Sequence, residues 1–208
     1  MIAQTQQKTY TPEEYLALEE AADQRHEYID GEIIPMAGGT TNHNKIALNF
    51  CRRFPLTIHE QDYEVYMSDV RLWIPDVRRY TYPDVMIVAA PTEYYDSSQT
   101  TITNPTIIIE VLSRSTQNYD QKLKWKHYRS IPTLQEYIVI SQYSYDVDQY
   151  IRNGQGEWLF KAYEGAEAEL RFTTVDFAIA LADLYNRVTF PPEAENDLPD
   201  SEGRRLTD

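Results

Sequence analysis

The most apolar stretch of the chain is Thr106-Ile107-Ile108-Ile109-Glu110-Val111-Leu112, in which only the first and fifth residues are polar. An apolar run of this length is typical of a strand buried on both faces of a sheet. A second buried strand is predicted at Glu136-Tyr137-Ile138-Val139-Ile140, and the polar segment between them predicts a helix from about residue 118 to residue 129, closed by Pro132. A strand–helix–strand crossover of this kind places its two strands side by side and parallel.

The segments outside this unit alternate between helical and strand patterns. Thr11-Pro12-Glu13-Glu14 predicts the start of a helix that runs to about residue 22, because Thr11 can cap it and Glu14 completes a capping box. The Asp30-Gly31 pair between two β-prone runs predicts a tight hairpin. The other predicted elements are a helix at 43–54, strands at 63–66, 69–73 and 82–88, a hairpin at 145–163 and a short helix at 180–185. This order predicts an α/β fold with a central mixed β-sheet flanked by helices.

Length and composition predict one globular domain with polar ends. The chain has 208 residues, of which 42% are hydrophobic and 25% charged, as in ordinary globular proteins. We expect a single domain at residues 11–190, a disordered N-terminus at 1–10 and a disordered acidic tail at 191–208. The tail has six Asp or Glu and two Arg residues, a charge of −4, which leaves −10 of the net −14 for the rest of the chain.

The net charge of −14 restricts how this chain could bind nucleic acid. Proteins that hold DNA through phosphate contacts usually present a basic surface. Contact with DNA would therefore require a local basic patch, or metal ions that neutralise an acidic site. Carboxylates grouped around a divalent cation would themselves contribute negative charge.

The N-terminus and the single cysteine bear on the compartment. Residues 1–8 contain no apolar core of a signal peptide, and no apolar run is long enough to cross a bilayer. Cys51 cannot form an internal disulfide, and its helical context favours a small buried apolar side chain over a catalytic one. These features predict a cytoplasmic protein without a membrane partner.

Two carboxylates lie at the borders of predicted buried strands. Glu110 interrupts the apolar run, and Asp84 follows Pro83 at the head of the strand at 82–88. Because an unpaired buried carboxylate is costly, each needs a metal ion, a basic side chain or N–H donors. Two carboxylates at neighbouring strand ends can converge on one divalent cation, and oxygen ligands suit Mg²⁺ or Mn²⁺. The alternative is a pair of salt bridges that anchor the strand ends.

The predicted helix between the two buried strands supplies a lysine to the same region. Asp120, Lys124 and Tyr128 are spaced four residues apart and therefore share one helix face. If this face meets the strand end at Glu110, the Lys124 ammonium can orient a water molecule and stabilise charge on a phosphate. The alternative is a solvated helix face, because lysines also occur at 122 and 126.

Several motifs in a fixed order carry a family resemblance. They are Thr11-Pro12-Glu13-Glu14-Tyr15, Glu27-Tyr28-Ile29-Asp30-Gly31-Glu32, His43, Pro83-Asp84, Glu110-Val111-Leu112-Ser113, Asp120…Lys124…Tyr128 and Glu136-Tyr137. Together they resemble a large bacterial family of restriction endonuclease-like proteins in the PD-(D/E)xK nuclease superfamily. The resemblance covers residues 11–187. It implies a restriction endonuclease-like fold with an αβββαβ core, preceded by an N-terminal helix and hairpin.

The resemblance also implies a role for each matching position. The metal ligands would be Asp84, Glu110 and the backbone carbonyl of Val111. Lys124 would be the catalytic lysine. Glu27 would join the site as a further acidic residue, and the alternative for Glu27 is an exposed position in the hairpin. His43 opens its helix in the family as it does here, and an accessory role there competes with a plain helix start.

The chain departs from the common superfamily motif in one respect. That motif is Glu-x-Lys, and Leu112 stands where its lysine is expected. The resemblance places the lysine on the following helix, at Lys124.

The implied function is hydrolysis of DNA phosphodiester bonds by an Mg²⁺- or Mn²⁺-dependent endonuclease. DNA is the expected partner by resemblance and not by charge. One alternative is a catalytically silent nuclease-fold protein that acts as a binding or assembly module, and another is a hydrolase of a different phosphate ester. A homodimer is also expected, because two-fold symmetry is the commonest oligomeric arrangement and a nuclease that cuts both strands can work as a pair.

Overall fold

A computed structural model of the protein describes residues 8–112 and 120–190. The α-helices in these residues are α1 (Pro12–Glu20), α2 (Thr41–Arg53), α3 (Asp120–Tyr128) and α4 (Leu181–Leu184). The strands of the N-terminal half are β1 (His26–Ile29), β2 (Glu32–Pro35), β3 (Thr57–Ile58), β4 (Gln61–Met67), β5 (Arg71–Ile74), β6 (Arg79–Thr81), β7 (Val85–Ala89) and β8 (Thr101–Ile102). The later strands are β9 (Ile107–Leu112), β10 (Glu136–Ser141), β11 (Asp146–Arg152), β12 (Trp158–Glu164), β13 (Glu169–Arg171) and β14 (Ala178–Ala180).

The largest sheet has seven strands in the order β12-β11-β10-β9-β7-β4-β3. Its strands β9 and β10 are parallel, with Glu110 opposite Val139, and α3 lies between them in the chain. Strand β7 runs antiparallel to β9, with Val85 opposite Ile109. The predicted crossover and the predicted α/β fold with a mixed central sheet are therefore confirmed.

Alternation along β9 directs its side chains into two different cores. Ile107 and Ile109 contact a buried cluster that includes Phe50 of α2 and residues of α4. Ile108 contacts a second cluster, which contains residues of α3 and of the smaller sheet. Glu110 has the parity of Ile108, so its side chain lies on the α3 side of the sheet.

A second sheet of five strands, in the order β2-β1-β6-β5-β8, was not anticipated from the sequence. Its hairpin β1–β2 turns at Asp30 and Gly31, which have φ of 42° and 105°, so the predicted hairpin is confirmed. The hairpin then pairs with β6, with Tyr28 opposite Tyr80. This pairing places β1 beside β6, and β6 leads along the chain into β7 of the seven-stranded sheet.

Helix α1 begins as its capping sequence predicts. The Thr11 hydroxyl accepts a 3.2 Å hydrogen bond from the Glu14 backbone N–H, and the Glu14 carboxylate accepts a 2.8 Å bond from the Thr11 N–H. Tyr15 of this helix packs with two tyrosines of the five-stranded sheet in a small separate core. These contacts attach the helix to β1 and β6.

Residues 8–10, which fall in the N-terminal segment expected to be disordered, are among the described residues, and the Tyr10 N–H donates a 2.9 Å hydrogen bond to the Gly31 carbonyl. The rest of the N-terminal segment expected to be disordered (1–10), namely residues 1–7, and the whole of the tail expected to be disordered (191–208) lie outside the described residues. Cys51 packs against the α2 side of the core, and burial raises the pKa of its thiol to about 11, which suits the apolar role predicted for it. Within residues 8–112 and 120–190, no helix combines the length and hydropathy needed to cross a membrane.

Candidate active site

Asp84 and Glu110 stand beside each other at the ends of paired strands. Strands β7 and β9 pair with Val85 opposite Ile109, and continuing this antiparallel register by one residue places Asp84 opposite Glu110. The backbone N–H of Val111 donates a 2.7 Å hydrogen bond to Asp84 Oδ2. The structure thus brings together the two carboxylates that the strand borders indicated.

Helix α3 presents two donors to Glu110. Lys124 Nζ lies 3.1 Å from both Oε1 and Oε2 of this carboxylate. Tyr128, one turn later on the same face, donates its hydroxyl to Oε1 at 2.6 Å. Lysines 122 and 126 are exposed, as expected from their position about 200° around the helix from Lys124. Ser113 and the side chain of Asp120 belong to the same predicted motifs and lie outside the described part of the chain.

The pKa values of Glu110 and Lys124 depend on burial and on neighbouring charges. Glu110 is only 6% exposed, and this removal from water raises its pKa, although the Lys124 ammonium lowers it in part. The negative charge of Asp84 raises the pKa of Glu110 further. Burial opposes the charge of Lys124, but Glu110 and Glu27 outweigh burial and raise its pKa, so the ammonium form is kept.

Glu27 reaches the same place from β1 of the smaller sheet. Its Oε1 lies 3.9 Å from Lys124 Nζ and accepts a short hydrogen bond from the Thr81 hydroxyl. Its Oε2 lies 2.7 Å from Nη2 of Arg79. Burial alone would raise the pKa of Glu27, but the charges of Lys124 and Arg79 lower it. The side chain is only 14% exposed, so the exposed-hairpin alternative is wrong for Glu27; it suits Glu32, which is exposed.

His43 adds an imidazole on the other side of Asp84. Its Nε2 lies 3.0 Å from Asp84 Oδ2. Burial opposes the charged imidazolium, but the hydrogen bond to Asp84 and the charge of that carboxylate raise the pKa of His43. The first turn of α2 carries this residue, and the Thr40 hydroxyl caps that turn by accepting from the His43 N–H at 3.2 Å. The helix-start motif marked the position, but not its contact with Asp84.

Arg79 and His127 form a buried layer that sequence reasoning did not find. Arg79 Nη1 lies 3.1 Å from Nδ1 of His127. The only signal for His127 is its spacing of three residues from Lys124, which puts both on one helix face. For Arg79 no local pattern points to the site, because β6 meets Glu27 by pairing with β1, which is distant in the chain.

The oxygen atoms of the site are hard donors of the kind that Mg²⁺ and Mn²⁺ prefer. Among the residues that the structure describes, no cluster of three or more His, Cys, Asp or Glu side chains is arranged to hold a metal ion. A metal here would therefore rest on two carboxylates, a backbone carbonyl and water. Mg²⁺ commonly binds in this way, through one or two carboxylates with several waters retained, so the donor set fits.

Tyr128→Phe is expected to lower the free energy of unfolding by about 1–2 kcal/mol. Phenylalanine keeps the buried ring but removes the 2.6 Å hydrogen bond to Glu110 Oε1. Urea denaturation measures this difference. Tyr63→Phe is the control, because Tyr63 is half-buried in β4 and its hydroxyl has no partner among the described residues. Equal losses in the two variants would contradict a specific bond to Glu110.

Comparisons with known proteins find a matching family and two similar relatives. Residues 12–182 match the model of the family described as "Uma2: Putative restriction endonuclease". The uncharacterized protein sll1609 of Synechocystis is 45% identical over 166 residues, which are 80% of this chain and 94% of that protein. The uncharacterized protein slr1290 of the same organism is 34% identical over 180 residues, 86% of this chain and 93% of that protein.

A solved structure shares the fold. It is described as a putative nuclease belonging to DUF820 from Anabaena variabilis, with a TM-score of 0.62 and 18% identity over 85% of this chain and 97% of that one. The family model covers most of the chain, and the order of motifs from Thr11 to Tyr137 led to the same family. The chain therefore belongs to the Uma2 family of restriction endonuclease-like proteins.

Proposed function

We propose that the protein is a metal-dependent endonuclease that hydrolyses phosphodiester bonds in DNA. The convergence of Asp84, Glu110 and Lys124 at one strand end supports this most directly, with the ammonium 3.1 Å from both Glu110 oxygens. The description of the family favours a nucleic acid as substrate. Action by paired copies on duplex DNA stays a prediction.

Asp84, Glu110 and the backbone carbonyl of Val111 would hold Mg²⁺ or Mn²⁺. When bound, the cation would polarise the scissile phosphate and lower the pKa of a water molecule. The carboxylate of Asp84 is fixed in position, because the Val111 N–H and His43 Nε2 both contact its Oδ2. Its Oδ1 has no hydrogen-bond partner among the described residues and is available as a ligand.

Lys124 would orient the attacking water and stabilise charge on the phosphate. An ammonium has three N–H donors, and two of those on Lys124 are directed to Glu110. The remaining donor has no acceptor at hydrogen-bonding distance within the described part of the protein, so it can reach a water or a phosphate oxygen. Tyr128 keeps Glu110 in place by its 2.6 Å hydrogen bond.

Exposed basic side chains of α3 and its C-terminal end would supply the local patch that the net charge of −14 requires. They are Lys122, Lys126 and Arg129, and all are exposed. Lys122 and Lys126 lie on the same helix as Lys124 and Arg129 follows its last residue, so these side chains could contact phosphates that flank the scissile bond. Their effect would weaken with salt, because exposed charges are screened.

A catalytically silent binding module is the second candidate, and the internal contacts of the carboxylates favour it. Glu110 already accepts from Lys124 and Tyr128, and Asp84 Oδ2 from the Val111 N–H. Glu110 and Asp84 Oδ2 therefore have hydrogen-bond donors even without a metal ion. Titration with Mn²⁺ separates the two candidates, because only the nuclease requires binding.

Asp84→Asn is expected to weaken Mn²⁺ binding at least about tenfold in calorimetry, because each lost charged contact is worth well over 1 kcal/mol. Cleavage of plasmid DNA with Mg²⁺ should fall with it. The asparagine oxygen can still accept from the Val111 N–H, so the fold is kept. Asp76→Asn, at an exposed position, is the control and should bind and cleave as the wild type does.

Two results would contradict the proposed function. A wild-type protein that gives no heat with Mn²⁺ and no cleavage would favour the binding module. Cleavage of small phosphate esters without cleavage of single-stranded or duplex DNA would point to a different hydrolase.

A further inference from the structure

A second layer of contacts lies behind Lys124 and centres on Arg79. This arginine of β6 is 2% exposed, and its Nη2 donates to Glu27 Oε2 at 2.7 Å. Its Nη1 lies 3.1 Å from His127 Nδ1. A guanidinium this deeply buried destabilises the fold unless it is paired, and Glu27 is the carboxylate that pairs with it.

His127 sets the direction of the Arg79 guanidinium. Because a guanidinium can only donate, Nδ1 of His127 must accept, and the neutral imidazole carries its proton on Nε2. Burial and the adjacent charge of Arg79 lower the pKa of His127 to about 4, in agreement with this assignment. His127 and Lys124 share a face of α3. Through its contacts with His127 and Glu27, Arg79 therefore links α3, which carries the lysine, to β1, which carries Glu27.

Glu27 and Glu110 compete for the same ammonium. Lys124 Nζ is 3.1 Å from both oxygens of Glu110, but 3.9 Å from the nearer oxygen of Glu27. The second distance is too long for a hydrogen bond. Two hydrogen bonds keep Glu27 at this distance: Arg79 donates to Oε2, and the Thr81 hydroxyl donates to Oε1. Arg79 also neutralises the charge that would otherwise attract the ammonium.

We propose that Arg79 is a positioning residue for Lys124, because it neutralises Glu27 and so leaves the ammonium on Glu110. The kinetic consequence rests on the proposed function, whereas the contacts of the ammonium do not. Without Arg79, the buried Glu27 has Lys124 as its nearest cation, and the ammonium shifts by about 1 Å towards β1. A misplacement of this size in a catalytic group can cost about 100-fold in rate.

The test compares Arg79→Met with the double variant Arg79→Met/Glu27→Gln. In a crystal structure of metal-free Arg79→Met, Lys124 Nζ should lie within hydrogen-bonding distance of Glu27 and should have lost a contact with Glu110. In the double variant the competing charge is absent, so both contacts with Glu110 should return. Arg78→Met is the matched control, because Arg78 is the exposed neighbour in the chain.

The kinetic arm uses Mg²⁺-dependent cleavage of DNA. Arg79→Met should lower kcat about 100-fold with little change in KM, and the double variant should recover the kcat of Glu27→Gln alone. A salt bridge that only supports the fold would lower stability in Arg79→Met but leave kcat of the folded protein and the Lys124 contacts unchanged. Nζ still 3.1 Å from both Glu110 oxygens in Arg79→Met would overturn the proposal.

The structural arm decides the inference even if the wild-type protein cleaves no DNA, so failure of the proposed function is distinguishable from failure of the positioning role. Should Arg79→Met not fold, Arg79→Gln replaces it, because its amide can still donate to His127 without supplying charge. The same shift of Lys124 towards Glu27 is expected, and its absence would again overturn the proposal.

Discussion

Lys124→Gln is expected to lower kcat for DNA cleavage by about 100- to 1000-fold while divalent metal binding is kept. The glutamine amide can still donate to Glu110, so the 3.1 Å contacts of the ammonium are replaced in part. The positive charge that would stabilise the phosphate is lost. Single-turnover cleavage with Mg²⁺ measures the rate, and calorimetry with Mn²⁺ measures binding.

The metal affinity of this variant separates the role of Lys124 from that of the carboxylates. The ammonium competes with a cation for Glu110, so removing it should leave Mn²⁺ binding unchanged or tighter. Asp84→Asn should instead weaken both Mn²⁺ binding and cleavage. Lys161→Gln, at an exposed position of β12 outside the proposed DNA-contacting patch, should cleave within about twofold of the wild type, because exposed single charges contribute little. Wild-type kcat in Lys124→Gln would remove the lysine from the mechanism.

Glu136→Leu is expected to lower the free energy of unfolding by about 3–5 kcal/mol, among the largest effects of a single change in this chain. Glu136 is 0% exposed at the start of β10. Its Oε1 accepts from the backbone N–H groups of Thr173 and Thr174 at 2.7 and 2.6 Å. Its Oε2 accepts from the Gln149 side chain at 2.6 Å. Leucine would leave all of these donors without the carboxylate that accepts from them.

Urea denaturation measures the loss in Glu136→Leu. Glu136→Gln should cost less, because its amide oxygen can still accept from the two backbone N–H groups. Glu164→Leu is the control, because Glu164 is an exposed strand residue of β12. A loss below about 1 kcal/mol in Glu136→Leu would show that the three bonded groups find water or other partners.

Glu110 and Glu136 have the same appearance in the sequence, since each is a lone carboxylate in a buried apolar strand. In the fold their surroundings differ. Glu136 is surrounded by N–H donors of the β13–β14 region and of β11, so it ties strands together. Glu110 faces a lysine, a tyrosine and a second carboxylate. Glu136 therefore anchors strands through uncharged donors, whereas Glu110 forms a salt bridge with Lys124 beside Asp84. The metal site proposed at Glu110 stays a prediction.

The local elements and the pairing of the central strands were predictable because they depend on short-range patterns. The apolar run at β9, the capping box at Thr11 and the Asp30-Gly31 turn each depend on neighbouring residues only. Helical spacing also identified Lys124 as the lysine nearest to Glu110, although Leu112 stands in the strand position. Periodicity is sufficient for these assignments, because it determines which face of an element a side chain occupies.

Only the tertiary structure decided which groups surround those faces. Glu27 joins the site because β1 pairs with β6, and Arg79 is carried there by the same pairing. His43 reaches Asp84 from a helix on the opposite side of the large sheet. These contacts link segments far apart in the chain, and their registers depend on packing between sheets and not on local preference. Sequence thus determined the pair Asp84 and Glu110 with its lysine, whereas packing alone determined the contacts of Arg79, Glu27 and His127 next to this lysine.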